Sequence, residues 1–452
     1  MKVDKSFINE LACQYSGKLL LEREISLEPP LFQWLLEKKF FKIVPGIKKY
    51  IGYYECQRCF NQSSHFFGRL PKRIIYCRKC IMMGRVSEIE PLYEWIGPRP
   101  NQTKVSNICQ WKGQLTPLQK RASKAIIKAI DNDEKLLIHA VCGAGKTEML
   151  YEGITYAIEQ NKKVCIATPR TDVVRELAPR IRRDFPNIKS CALYADSTEK
   201  DINSHLVIAT THQLFRYKDH FDVTIVDEVD AFPYHHDRML GKAVKRATKQ
   251  KSSTIFLTAT PRPNMKLKKA LNLIPSVSIP LRFHGHPLPV PQFKYIPKLN
   301  KQLNDNQVPS EIMNWFESRK RRYLIFVSTI NLAERLAKQL NLPFVHAESS
   351  EREKMIKQFR EEKMNALITT TILERGVTFP SIDVCVIQAD HHVFDEAALI
   401  QIAGRAGRSS DDPMGDVIFF YEVKTRAMVT ARKEIILKNK EAEKWKVSEV
   451  DA

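Results

Sequence analysis

Short β-branched runs alternate with amphipathic helical stretches twice along this 452-residue chain, and few folds accept that pattern. The first set, from Leu115 to about Leu281, contains KLLIHAV, KVCIATP, HLVIATT, VTIVDE and STIFLTAT. The second begins with RYLIFVST and continues through PFVHAE, NALITTT and VCVIQAD. Continuous apolar strands with helical crossovers predict parallel sheets covered on both faces. The fold expected is therefore α/β, with two similar parallel-sheet domains in tandem.

Residues 1–50 read as a small mixed segment and 51–110 as a four-cysteine module with a linker, IGPRPNQTKVSN, at its end. The first α/β domain is expected over 111–282, a stiff proline-rich connector over 283–297 and the second domain over 298–452. Ser350, with Glu353 three residues later, predicts a capping box that opens a helix. Lys and Arg outnumber Asp and Glu by 72 to 51, a net charge of +21 that would concentrate a polyanion, nucleic acid first and an anionic membrane surface second. No run nears the ~18 apolar residues that cross a bilayer, so a cytoplasmic location is expected, with the inner membrane face as a peripheral alternative.

The stretch AVCGAGKT, Ala140 to Thr147, follows a strand and precedes a helical pattern. It departs from GxxxxGK[ST] only in having Ala140 at the first position. Gly143 and Gly145 allow backbone N–H groups around Cys142 and Ala144 to turn toward a phosphate. Lys146 can reach the β and γ phosphates of ATP, and Thr147 can offer its hydroxyl to Mg²⁺. VTIVDEVDAF places Asp227 at a strand end at the same sheet edge, where a carboxylate suits Mg²⁺, and Glu228 beside it suits the attacking water. Asp230 is expected to link the site to a neighbouring loop. QIAGRAGR, Gln401 to Arg408, lies in the second domain, and its Arg405 and Arg408 can supply guanidinium charge to a γ-phosphate.

Two cysteine pairs, Cys56/Cys59 and Cys77/Cys80, have the spacing of a closed tetrahedral Zn²⁺ site. The interval between them mixes Phe60, Phe66 and Phe67 with Arg69, Lys72 and Arg73, which suits either a single-strand grip or a miniature core. Arg175, Arg180, Arg182 and Arg183 read as an exposed basic helix face.

The ordered set LTPLQ, the phosphate loop, TPRTDVV, TTHQL, DEVD, TAT, FVST, TTTILERGVTFP and QIAGRAGR resembles the superfamily 2 helicases, whose core is two RecA-like domains. The resemblance implies adenine contact by Gln119, nucleic-acid backbone contact near Thr168, Arg170 and Thr211, and coupling through Thr258 to Thr260. It implies matching roles for Thr371, Glu374 and Gly376 in the second domain. The primosome helicase PriA has a similar motor but a longer chain, with its cysteines in the second half. An N-terminal four-cysteine module with DEVD and ERGVTFP most resembles the ComFA family of late-competence proteins. That likeness implies an ATP-driven translocase on single-stranded DNA that serves uptake through a ComEC-like membrane channel, alongside other competence proteins. A duplex-unwinding repair or restart helicase and an ATP-gated DNA clamp remain alternatives.

Overall fold

The computed structural model describes residues 4–101 and 104–450. Gln102 and Thr103, inside the expected linker, lie outside the described residues.

The first lobe is built on seven parallel strands in the spatial order Ser190–Leu193, Leu206–Thr210, Val164–Thr168, Phe221–Val226, Thr248–Thr258, Lys135–Ala140 and Ser276–Ile279. The inner strands Val164–Thr168 and Leu206–Thr210 are buried at every position, as a sheet with helices on both faces requires. Register is set by matched β-branched residues, with Ile166 between Ile208 and Ile225. One face is closed by the helix Pro117–Asp131, which starts at a capping box between Thr116 and Gln119 and buries Leu118, Ala122, Ile126 and Ile130.

The second lobe has six parallel strands in the order Gln292–Tyr295, Val417–Tyr421, Ile382–Ile387, Arg322–Phe326, Ala366–Thr369 and Phe344–Val345. Its first strand lies inside the segment expected as a connector: once past Pro287, Pro289 and Pro291, the chain pairs Gln292–Tyr295 with Ile418–Tyr421. A parallel edge strand needs donors along one side only, so proline on its approach does not prevent pairing. The helix after Ser350 also differs from expectation. It runs Arg352–Arg360 with Glu351 at the N-cap and no side-chain cap, because Ser349 takes the turn instead and Glu353 pairs with Arg175 of the first lobe.

The N-terminal body does not divide at residue 50. Leu92–Trp95 lies between Leu19–Leu21 and Phe41–Val44 in one antiparallel sheet, and residue 50 ends one arm of the hairpin Ile47–Tyr50/Tyr53–Cys56. The cysteines share a hydrophobic cluster with the first lobe's Val207, Phe215, Leu240 and Val244. Arg246 donates to Gln57 O at 2.8 Å and lies 4.5 Å from the Phe60 ring centre. Phe60 and Phe67 are thus half-buried and packed against this core, while Phe66 and Arg69 are exposed.

Candidate functional site

The phosphate loop leaves the buried strand Lys135–Ala140 and turns through two glycines in the left-handed region, Gly143 at φ 79° and Gly145 at φ 70°. Only glycine adopts that conformation without strain. Gly145 is also confined sterically, since a Cβ there would stand 2.3 Å from Gln119 Nε2. Gln119, expected near adenine, holds the loop: its Nε2 donates to Ala144 O at 2.9 Å and Gly145 O at 3.3 Å, and its Oε1 accepts from Thr116 N.

Asp227 ends its strand with its N–H on Ala167 O, and its Oδ1 accepts from Glu228 N at 2.8 Å. Burial, then the neighbouring Glu228 charge, raise its pKa to about 6 against the pull of Lys146. Glu228 sits at φ 53°, a costly position for a non-glycine residue, and its Oε2 is buried without a protein hydrogen-bond partner.

Facing these groups across a cavity of about 500 Å³ stand Gln401, Arg405 and Arg408 of the second lobe. Cys142, Gly143, Ala144, Gly145, Lys146 and Thr147 line the near wall with Asp227, Glu228 and Gln119, and Gly376 lines the far one. Arg405 is 1% exposed and donates through Nε to Glu374 O at 3.0 Å, while its Nη1 is buried without a protein partner. Burial, then the adjacent Arg408, push its pKa down to about 9. Gln401 accepts from the Cys142 thiol at 2.9 Å, and its Nε2 is likewise buried and unpartnered. A carboxylate, a loop of N–H groups and two crowded guanidiniums around one cavity fit a polyphosphate with a divalent cation.

Asp230 makes the link expected of it, and its partner is a residue the sequence reading passed over. Its carboxylate accepts from Thr258 Oγ1 at 2.5 Å, from Thr260 Oγ1, and from Arg375 Nη2 of the second lobe at 2.6 Å. Arg375 stands between Glu374 and Gly376, both singled out, but nothing local to it points to Asp230. Arg282 was also missed. It is buried at the end of the first lobe, just before the proline-rich connector, and donates to Gly407 O and to Ala406 O at 2.8 Å, fixing the loop between Arg405 and Arg408. Trp111 and Phe283 add aromatic wall to the cavity.

Of the residues expected along nucleic acid, Arg170 bridges the two lobes. Thr168 and Thr211 are fully buried, their hydroxyls without protein partners. Arg170 is held by Asp172 at 2.7 Å and reaches Ile372 O at 2.5 Å, beside Thr371. Gly376, at φ 75°, lets that second-lobe loop approach Asp172, whose Oδ2 a Cβ would meet at 2.7 Å. The basic helix face expected at Arg175, Arg180, Arg182 and Arg183 is largely exposed, and each arginine is paired, with Glu353, Glu148, Glu199 and Asp184 respectively.

Cys56, Cys59, Cys77 and Cys80 are buried with their four sulfurs within 4.8 Å of one another. The pairs Cys56/Cys80 and Cys59/Cys77 stand 3.7 and 3.5 Å apart, close to the ~3.8 Å edge of a tetrahedron with Zn–S bonds of about 2.3 Å. The four ligands fit a closed, structural zinc centre.

Comparison with known proteins agrees with this geometry. Residues 5–94 match the family described as the competence protein ComFA N-terminal domain, 112–263 the type III restriction enzyme res subunit and 305–410 the helicase conserved C-terminal domain. The chain is 42% identical to competence protein ComFA of Bacillus subtilis over 443 residues, covering 96% of both chains. It belongs to the ComFA family. The ComFA of Streptococcus pneumoniae is 39% identical, over 95% of this chain and 98% of its own. Among solved structures, S. cerevisiae Dbp5 bound to RNA and ADP BeF3 superposes with a TM-score of 0.52 at 18% identity, covering 72% of this chain and 91% of that one, a likeness of fold. This ComFA-family chain is thus an ATP-dependent superfamily 2 helicase with two RecA-like lobes and ATPase activity. No helix among the described residues is long and apolar enough to cross a membrane.

Proposed function

We propose that the chain is an ATP-driven translocase on single-stranded DNA that powers uptake of transforming DNA from the cytoplasmic side, at the inner face of the membrane, in company with a ComEC-like channel. The observation that carries this reading is the cavity shared by the two lobes, where Glu228 Oε2, Gln401 Nε2 and Arg405 Nη1 are buried without protein partners. Burying unpaired polar atoms is costly, so their convergence on one cavity supports a polar ligand as their partner. The relatives' printed name, competence protein, supports the setting.

In this reading Lys146 and the loop amides from Cys142 to Thr147 bind the β and γ phosphates, and Thr147 and Asp227 hold Mg²⁺. The bound cation supplies charge neutralisation on the phosphate oxygens. Glu228 orients the attacking water and takes its proton. Arg405 and Arg408 stabilise the charge that develops on the departing phosphate oxygens, which requires the lobes to be closed. Closure is then favoured by nucleotide and released on hydrolysis. Asp230 carries the change to Thr258 and Thr260 on one side and Arg375 on the other. Thr168, Arg170, Thr211 and Thr371 lie on the segments that would follow the DNA backbone. The four cysteines hold structural Zn²⁺.

The test uses ATP turnover with oligo-dT, duplex DNA and RNA, paired with displacement of streptavidin from end-biotinylated single-stranded DNA. Stimulation by single strands with streptavidin displacement is expected. Stimulation without displacement would indicate a clamp, and separation of a blunt or tailed duplex would indicate an unwinding helicase.

A further inference from the structure

A second cavity, about 1040 Å³, opens on the first lobe between the helices Arg238–Ala247 and Pro263–Ala270, over the strand Thr248–Thr258. It shares no lining residue with the nucleotide cavity. Lys135, Arg238, Lys242, Lys245 and Lys268 border it, all exposed, while Tyr234 and Phe256 line it half-buried. Arg238, Lys242 and Lys245 follow one another about a turn apart on the helix face opposite the buried Leu240, Ala243, Val244 and Ala247. Among the described residues none of these five cations makes an ion pair. Of the three bordering carboxylates, Asp133 and Asp237 are taken by Lys162 and Lys79, which leaves Asp219 alone against the five cations. A concave site with uncompensated cations at its rim and rings within it matches what a single strand presents, phosphates outward and base faces inward.

We propose that this groove is a second binding site for single-stranded nucleic acid, set apart from the seam between the lobes. The phosphates meet the Arg238, Lys242 and Lys245 stripe, and the bases meet Phe256 and Tyr234. The inference rests on the reading of the chain as a motor on single strands. Its net charge of +21 favours that occupant over an acidic protein segment, because the same excess of cations extends beyond the groove.

Gly241 gives a clean probe. It lies on the groove-facing side of the helix, and a Cβ there would meet nothing within 4 Å, so larger side chains enter open space and helix propensity rises. Binding of labelled oligo-dT to the full chain is measured against salt. The combined variant Arg238→Ala, Lys242→Ala, Lys245→Ala is expected to reduce the slope of log K against log salt by about 2, from ~0.7 per phosphate contact. Gly241→Glu should weaken binding, Gly241→Lys strengthen it and Gly241→Ala leave it unchanged, all with unstimulated ATP turnover at the wild-type rate. An unaltered slope in the combined variant, or identical binding by Gly241→Glu and Gly241→Lys, overturns the groove alone. Loss of poly-glutamate binding with oligo-dT binding intact also overturns it, in favour of an acidic polypeptide. If the wild-type chain itself fails to bind oligo-dT, the motor reading falls as well.

Discussion

Arg375 and Asp230 are 2% and 0% exposed, respectively, and each would be costly to bury alone. Opening the lobes returns both to water, so the ion pair acts on the closed state more than on the fold of either lobe. Arg375→Met should therefore leave thermal unfolding of the lobes near wild type, while weakening closure by about 3 kcal/mol because Asp230 is left buried without its counter-charge. The readout is DNA-stimulated turnover, which should fall far more than nucleotide binding; equal loss of both would argue that Arg375 is merely structural. Lys146→Ala and Asp227→Ala should each abolish hydrolysis with circular dichroism unchanged, and retained turnover in either would refute the assignment. The meeting of the phosphate loop, Asp227, Glu228 and the Arg405/Arg408 pair around one cavity was legible in the sequence because each lies in a short motif of local spacing, the first three beside strand ends and the arginines just past a helix. Arg375, Arg282 and the holding role of Gln119 were not, since each is defined by a partner brought in from a distant segment.

At the scale of elements, two additions tie the lobes together and to the N-terminal body. The final helix, Arg426–Val450, returns to the first lobe and its connector: Glu434 takes Lys266 at 2.7 Å, Lys438 donates to Ser278 Oγ at 2.9 Å, and Asn439 bonds both the N–H and the carbonyl of Leu288 in the connector. Its pattern showed a charged helix but not what the charges meet. Beneath it His139 donates to Ala259 O, and burial, then Lys438 and Lys269, lower its pKa to about 3. A base whose folded pKa lies below its unfolded value binds its proton preferentially in the unfolded chain. Its neutral-state stability is full above about pH 6.5 and is lost as pH falls toward 3. The unfolding free energy from urea titrations should drop by about a few kcal/mol over that window, and His139→Gln, which keeps a donor for Ala259 O, should flatten the drop. A wild-type slope in that variant would assign the acid lability elsewhere. The cysteine module is continuous with the first lobe's core, so Cys80→Ser or strong chelation should release zinc and unfold residues 4–97 cooperatively. Tritium or deuterium exchange confined to a few module amides would contradict that coupling.

Across the whole molecule, the alternation of strands and helices announced two parallel sheets, and both are present. What the alternation could not convey was contact between units: the N-terminal sheet that crosses residue 50, the strand Gln292–Tyr295 after its prolines, and the lobes drawn together by Arg262–Asp395 and Lys266–Glu396. Such contacts depend on surfaces meeting after folding, and periodicity within a window carries no record of them. The seam positions illustrate the same limit. Arg170 was expected on nucleic acid and is held by Asp172 and Ile372 O, so on the proposed reading a strand bound there would have to exchange that bridge for phosphate. Arg170→Ala should then lower stimulated turnover while leaving the DNA-free rate unchanged, whereas a fall in both rates would place Arg170 in the closure itself. A single nucleotide gripped from both lobes at once needs Arg405 for turnover. Steady-state ATP hydrolysis by the full chain, with and without oligo-dT, for wild type and Arg405→Ala, tests it most directly. A stimulated wild-type rate that falls by about 10³-fold or more in the variant, with nucleotide binding retained, is the result predicted; a variant that hydrolyses ATP at the wild-type stimulated rate would contradict it.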